Sequence, residues 1–286
     1  MLVNLKKVLA VANEKNIAIG AFNTPNLENM IAVIETAEKY DTPVIIMHAQ
    51  LHEDVVPMKT IAPVMLAMAE NARVPVCVHL DHCDDLDYLY RALDLGFTSV
   101  MYDGSLFPYE KNVKNTRCAV EKAKQYNANV EAEIGVLGGR EAGAQPQQSK
   151  IEDMYTDPEL AKRFVEDTQI DALAASFGTA HGFYKEKPKL DFERVAKISE
   201  LVKIPLVMHG GSGVSPEDYI KAIDRGVRKI DYYSYMARAG VQGVKSRLES
   251  GNVDFFHELA QAATESMQTN IEMAIRTFLK LNTDTE

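Results

Sequence analysis

Apolar residues gather along the chain into short runs at nearly regular intervals, with amphipathic stretches between them. The runs are Ala18–Thr24, Pro43–Ala49, Val74–His82, Ser99–Ser105, Asn129–Gly135, Ala172–Gly182, Pro205–Gly213 and Lys229–Ser234. Several are near-continuously apolar rather than alternating, the pattern of strands buried on both faces. Between them, Asn26–Lys39 opens on an Asn and carries apolar residues at helical spacing. Asp157–Asp167 and Ser215–Arg225 each start with a capping residue, then Pro, then Glu, and Gly226 closes the second. Strands that alternate with helices predict parallel βα units. Eight such units in fewer than 290 residues fit a (β/α)8 TIM barrel, an α/β fold, better than an open doubly wound sheet. No glycine-rich dinucleotide fingerprint follows the first run, which weakens the open-sheet alternative. Residues 253–281 read as additional C-terminal helix after the barrel closes. The expected organisation is a single barrel domain over residues 1–286. The one long polar stretch, Arg140–Thr156, exceeds an ordinary βα turn, and loops of that length tend to be functional lids or disordered.

Composition narrows the function. With 286 residues, 46% of them hydrophobic, the chain can bury a large core. Its 31 Lys+Arg against 41 Asp+Glu, net −10, lack the basic footprint of a non-specific nucleic-acid binder. Three cysteines, Cys77, Cys83 and Cys118, are too few for a disulfide scaffold and suit a reducing compartment. Neither a secretory leader nor a run of about 18 apolar residues is read in the sequence, so a cytoplasmic protein with no membrane partner is expected.

In a barrel of this kind the active site lies at the carboxyl ends of the strands. His82, His181 and His209 fall at the ends of the third, sixth and seventh runs, each beside Gly or Asp. Neutral imidazoles are common zinc ligands, and three protein ligands with one open position is a catalytic arrangement. The bland reading, three satisfied rim histidines, would win for any one of them alone. The turns at Gly182 and at Gly210, Gly211, Ser212 and Gly213 suit an oxyanion through backbone N–H groups and a hydroxyl, although glycine is common in barrel turns. Asp81, next to a candidate ligand, and Glu141, at the start of the long loop, are the acid/base candidates. From spacing alone Glu141 reads at least as readily as a solvated loop charge. His48 and His52 read as rim residues, with His48 in reach of a substrate.

At these residues the chain resembles the class II, metal-dependent fructose-bisphosphate aldolase family, especially its tagatose-bisphosphate branch. The matching stretches are 20–38 (GAFNTPNLENMIAVIETAE), 79–85 (HLDHCDD), 101–113 (MYDGSLFPYEKNV), 130–141 (VEAEIGVLGGRE), 156–168, 177–195 and 205–214 (PLVMHGGSGV). The resemblance implies a zinc enzyme that cleaves a ketose bisphosphate reversibly to dihydroxyacetone phosphate and an aldehyde. It implies His82, His181 and His209 as the zinc ligands, with Glu133 and Asp103 lining or transiently ligating the metal. Asp81 is implied as the residue protonating the aldehyde oxygen, and Glu141 as the one moving the proton on the dihydroxyacetone carbon. Gly182, Gly211 and Ser212 are implied as the phosphate cradle, with Gly210, Asp231 and Ser234 beside it and a monovalent cation, Na+ or K+, near that site. The family also implies a sugar-phosphate partner, a place in carbohydrate metabolism such as glycolysis, and a homodimer or homotetramer.

The last third departs from the pattern. Where the family has an Asn after the eighth strand, this chain reads Asp231-Tyr232-Tyr233-Ser234-Tyr235. A carboxylate about 4 Å from a phosphate costs roughly 1 kcal/mol in water and more when buried. The family grips the aldehyde-half phosphate with a C-terminal Arg, yet no Arg lies between Arg247 and Arg276, and Ala49 stands where a hydroxyl is usual. These departures point to a ketose lacking the second phosphate, unless Arg140 or Arg238 has taken over. A sugar epimerase using the same retro-aldol chemistry and a non-catalytic sugar-phosphate binder are the competing readings.

Overall fold

The computed structural model describes residues 1–135, 155–183 and 188–281. In chain order its elements are β1 (Leu2–Val3), α1 (Leu5–Lys15), β2 (Ile19–Asn23), α2 (Leu27–Lys39), β3 (Val44–Ala49), α3 (Met58–Asn71), β4 (Val76–Cys83), α4 (Leu86–Leu95), β5 (Ser99–Tyr102), α5 (Tyr109–Lys124) and β6 (Asn129–Ile134). There follow α6 (Pro158–Thr168), β7 (Ala172–Ala175), α7 (Phe192–Val202), β8 (Leu206–Met208), α8 (Pro216–Asp224), β9 (Val227–Asp231), α9 (Ser234–Glu249) and α10 (Phe256–Phe278). Strands β2 to β9 pair in parallel, each with the next. β9 returns to β2, Gly20 opposite Ile230, and closes an eight-stranded barrel. All eight predicted runs supply its strands, and the fold is the TIM barrel that their spacing predicts.

Local chemistry sets the helix starts. Asn26, Asp157 and Ser215 cap α2, α6 and α8 by accepting from backbone N–H groups of the first turn. Pro occupies the first turn of α6 and α8, where its missing N–H costs nothing. Gly226 follows α8 with φ +112°, a conformation open to glycine without strain.

Two hydrophobic clusters divide the interior. The larger lies between the strands and the helix layer and runs from Phe22 and Met30 to Phe164, Ile198 and Phe278. The smaller fills the amino-terminal end of the barrel: Leu5, Val8, Leu9 and Ala12 of α1 meet Ile19, Ile45, Met47, Cys77, Met101, Ala174 and Val207. α1 thus plugs the barrel from below, and β1 anchors it by pairing with β4, Leu2 opposite Val76.

The carboxy-terminal helices differ from the sequence expectation in one respect. α10 lies inside the expected stretch 253–281, but α9 precedes it directly after the barrel closes. The two pack against each other, and α10 also covers α2. Every apolar run is longer than the strand it supplies, and two of them by the most. β7 stops at Ala175 and β8 at Met208, leaving His181 and His209 in the connections beyond them. No helix of the described residues is long and apolar enough to cross a membrane.

Candidate active site

Three βα units bring His82, His181 and His209 together at the carboxyl end of the barrel. His82 sits in β4 with φ +38°, beside a break in the β4–β5 register between Leu80 and Cys83. A bulge of this kind re-aims a side chain, and left-handed backbone in a non-glycine residue is strain held by its surroundings. His181 precedes Gly182 (φ +91°), and His209 follows β8 and precedes Gly210 (φ +62°). A β-carbon on Gly210 would come within 2.4 Å of the Ala180 carbonyl oxygen, so only glycine lets these two connections pass. The Nε2 of His82 lies 3.2 Å from Nε2 of His181 and 2.8 Å from Nδ1 of His209.

The opposite ring nitrogens decide what these contacts mean. His82 Nδ1 is 2.9 Å from Asp103 Oδ2, and His209 Nε2 is 2.8 Å from Glu131 Oε1. A carboxylate only accepts, so each of those nitrogens carries the ring proton. The nitrogens that face each other then present lone pairs, and a 2.8 Å approach between them calls for a shared cation: a proton or a metal ion. Tetrahedral zinc with nitrogen ligands at 2.0–2.1 Å would set them about 3.3 Å apart. Two more carboxylate oxygens nearby, Asp81 Oδ1 and Glu133 Oε2, are buried and lack a hydrogen-bond partner among the described residues. The donor set fits a divalent cation: three imidazoles within reach of one point, and orphaned carboxylate oxygens around it.

Electrostatics agree. Burial pushes the His82 imidazolium down, but Asp81, Asp103 and Glu133 outweigh it and raise the group well above the usual range. Burial, with Asp103 next, raises the Glu133 carboxyl well above its ordinary value. For Asp81, burial acts upward, yet His82, His209 and Lys229 overcome it and hold the carboxyl below the carboxylate range. Asn23, at the end of β2, donates from Nδ2 to Asp81 Oδ2 at 3.0 Å and fixes that carboxylate. Asp103 is braced in turn by the backbone N–H and hydroxyl of Ser105, at 3.1 and 2.6 Å.

Below the histidines lies a buried ion cluster that sequence reasoning missed. The ammonium of Lys229 is 3.0 Å from Glu131 Oε2 and 2.8 Å from Asp231 Oδ1, with Lys229 and Glu131 fully buried. Asp231 Oδ2 also lies 3.4 Å from His209 Nε2. Burial would release the Lys229 proton, but Asp231 and Glu131 raise the group above its ordinary value. A lysine held as ammonium between two carboxylates is no Schiff-base nucleophile. The signal in the sequence was the Lys-Ile-Asp alternation at the end of β9, which turns both charges to one face.

The expected phosphate turns surround this centre. Gly182 faces open space, whereas the N–H of Gly211 donates to the Asp231 carbonyl at 3.1 Å. Ser212 Oγ accepts from the Tyr233 N–H at 3.0 Å. Ser234 opens α9, and the Tyr235 ring fills the space a side chain at Gly213 would need. His48 lies off the centre: its Nε2 meets the Tyr88 hydroxyl at 3.1 Å, and that hydroxyl donates to Glu53 at 2.6 Å. The His52 ring stands 5.4 Å from the Tyr233 ring. Arg238 stacks over Phe183, its guanidinium carbon 4.2 Å from the ring centre. Glu141 and Arg140 lie outside the described residues.

Residues 3–283 match the family described as fructose-bisphosphate aldolase class-II. The sulfofructosephosphate aldolase of Alkalicoccus urumqiensis is 35% identical over 278 residues, 96% of this chain and 95% of that protein. Among solved structures, the YdjI aldolase of Escherichia coli K12 superposes with TM-score 0.86 at 32% identity, covering 97% of both chains. The fructose-bisphosphate aldolase of Campylobacter jejuni shares the fold, with TM-score 0.81 at 24% identity over 97% of this chain and 95% of that one. The chain therefore belongs to the class II fructose-bisphosphate aldolase family, lyases that break carbon–carbon bonds in sugar phosphates.

Proposed function

We propose that this protein is a zinc-dependent aldolase that cleaves a ketose 1-phosphate reversibly to dihydroxyacetone phosphate and an aldehyde. The observation that carries the reading is the meeting of the His82, His181 and His209 ring nitrogens beside orphaned carboxylate oxygens. These three histidines would hold the ion, with Glu133 close enough to line it and Asp103 bracing His82 through its other ring nitrogen. When bound, a divalent cation supplies a Lewis acid for the oxygens of the ketose.

The chain's own groups do the rest. Asp81 takes the proton of the C4 hydroxyl as the C3–C4 bond breaks, and returns it to the aldehyde oxygen in the reverse direction. Asn23 holds Oδ2, which leaves the buried Oδ1 for the substrate. Glu141, outside the described residues, is the group proposed to move the proton on the dihydroxyacetone carbon. The phosphate of that half rests at Gly182, Gly210, Gly211, Ser212 and Ser234, where a monovalent cation can share its charge. Asp231, turned toward Lys229 and His209, supports this corner through its backbone carbonyl.

The aldehyde half carries no second phosphate in this reading. Ala49 offers no hydroxyl, and no Arg occurs between Arg247 and Arg276. One relative is itself named for a sulfofructose phosphate, a ketose phosphate with a different second acid group. Arg238 is the described arginine at this rim and suits such a group.

The test is a substrate panel with metal control. Fructose and tagatose 1-phosphates and a 6-sulfonated analogue are compared with the 1,6-bisphosphates, as isolated, after chelation and after zinc return. Turnover abolished by chelator, restored by zinc and higher for substrates without the second phosphate is the expected outcome. A strong preference for the bisphosphates would overturn the substrate reading, and an epimerised ketose without free triose would replace the reaction. Light scattering tests the proposed homodimer or homotetramer.

A further inference from the structure

We infer that Glu131 and Lys229 act as positioning residues that set the ring orientation and tautomer of His209. The inference rests on the metal reading above. His209, Glu131 and Lys229 are all fully buried, so no water competes for their partners. Glu131 Oε1 accepts from His209 Nε2 at 2.8 Å, which leaves Nδ1 unprotonated and turned toward His82. A carboxylate in this dry interior needs an opposite charge beside it. Lys229 supplies the compensating charge, at 3.0 Å from Oε2 and 3.2 Å from Oε1. His79 Nε2 also neighbours this carboxylate, but at 3.8 Å it stands beyond hydrogen-bonding distance.

Charge counting extends the argument to the departure at Asp231. One ammonium stands between two carboxylates, and both lie near the His209 N–H, Glu131 at 2.8 Å and Asp231 at 3.4 Å. An imidazole whose N–H faces carboxylate is a better donor at its other nitrogen. Glu131 makes the hydrogen bond, Lys229 pairs with Glu131, and Asp231 adds field without the short contact. In this order the three side chains should matter for metal affinity.

Two measurements decide it. Long-range proton–nitrogen correlation spectra of the metal-free, histidine-labelled wild-type protein report which His209 nitrogen bears the proton, with His209→Gln giving the assignment. Protonation at Nε2 is expected; protonation at Nδ1 overturns the inference. Zinc affinity is then measured by chelator competition. Glu131→Gln and Lys229→Met should each weaken binding at least tenfold; a smaller loss in either, from folded protein, overturns the inference. If a variant fails to fold, the wild-type spectrum still decides. Should the wild type itself bind no zinc, the proposed function falls, whereas tight wild-type binding with unaffected variants removes only this inference.

Discussion

The same eight strands build two opposite environments at the two ends of the barrel. At the amino-terminal end the inward positions are Ile19, Ile45, Cys77, Met101, Ala172 and Val207, sealed by Leu5, Val8 and Leu9 of α1. Toward the carboxyl end the inward positions turn polar, first at Lys229 opposite Ile19 and Glu131 opposite Met101, then at His79, Asp81, Glu133 and Asp231, all buried. Within β4 the change takes two residues, from Cys77 to His79. The apolar end gains free energy from burial and asks nothing of its neighbours beyond shape. The polar end loses by burial and stands only because each charge meets another. Within the barrel interior, stability therefore comes largely from one end and chemistry from the other.

Substitutions can break or sharpen that division. The largest effect is expected from His209→Ala, which removes a proposed ligand and should cut turnover by about 10³-fold or more. Steady-state cleavage assays and bound-metal content check it. Asp81→Asn should lower turnover by about 10²–10⁴-fold while leaving bound metal in place; loss of the metal as well would show that Asp81 serves the site rather than the substrate. At the other end, Leu9→Ala should cost about 2–5 kcal/mol in a denaturant melt, with turnover per folded molecule unchanged. If activity fell with it, the two ends would not be separable.

A fourth prediction concerns pH. Burial holds the His48 imidazole at about 4, against 6.5 when exposed. The unfolded chain then binds this proton more readily than the folded one as pH falls. The stability from neutral His48 is thus complete above pH 6.5 and is lost as pH drops toward 4. Denaturant melts at pH 7 and pH 4.5 should show a smaller acid loss for His48→Gln than for wild type. The smallest effect is expected on the surface. Lys39 and Glu272 pair at 2.7 Å, but the Lys39 side chain is 60% exposed, and Lys39→Ala should leave the denaturation midpoint almost unchanged.

Much of the candidate site was legible because glycine and polar residues stand out at the ends of apolar runs. His82, His181 and His209 were each visible beside Gly or Asp, and the closed barrel brings them within hydrogen-bonding distance. Asn23 was less legible, since a lone amide at a strand end has many ordinary uses. Glu131 and Lys229 were visible as residues and invisible as a pair, being 98 positions apart.

The chain alone therefore determined the barrel, because strand and helix periods are local properties that a run of residues carries with it. It also determined which donors would stand at the carboxyl end, because a strand's last residues sit there whatever its neighbours are. Only the tertiary structure decided which carboxylate holds which histidine, and that Lys229 is an ion-pair partner rather than a nucleophile. Those outcomes depend on which strands the closed ladder sets side by side, and on burial that makes each unpaired charge costly.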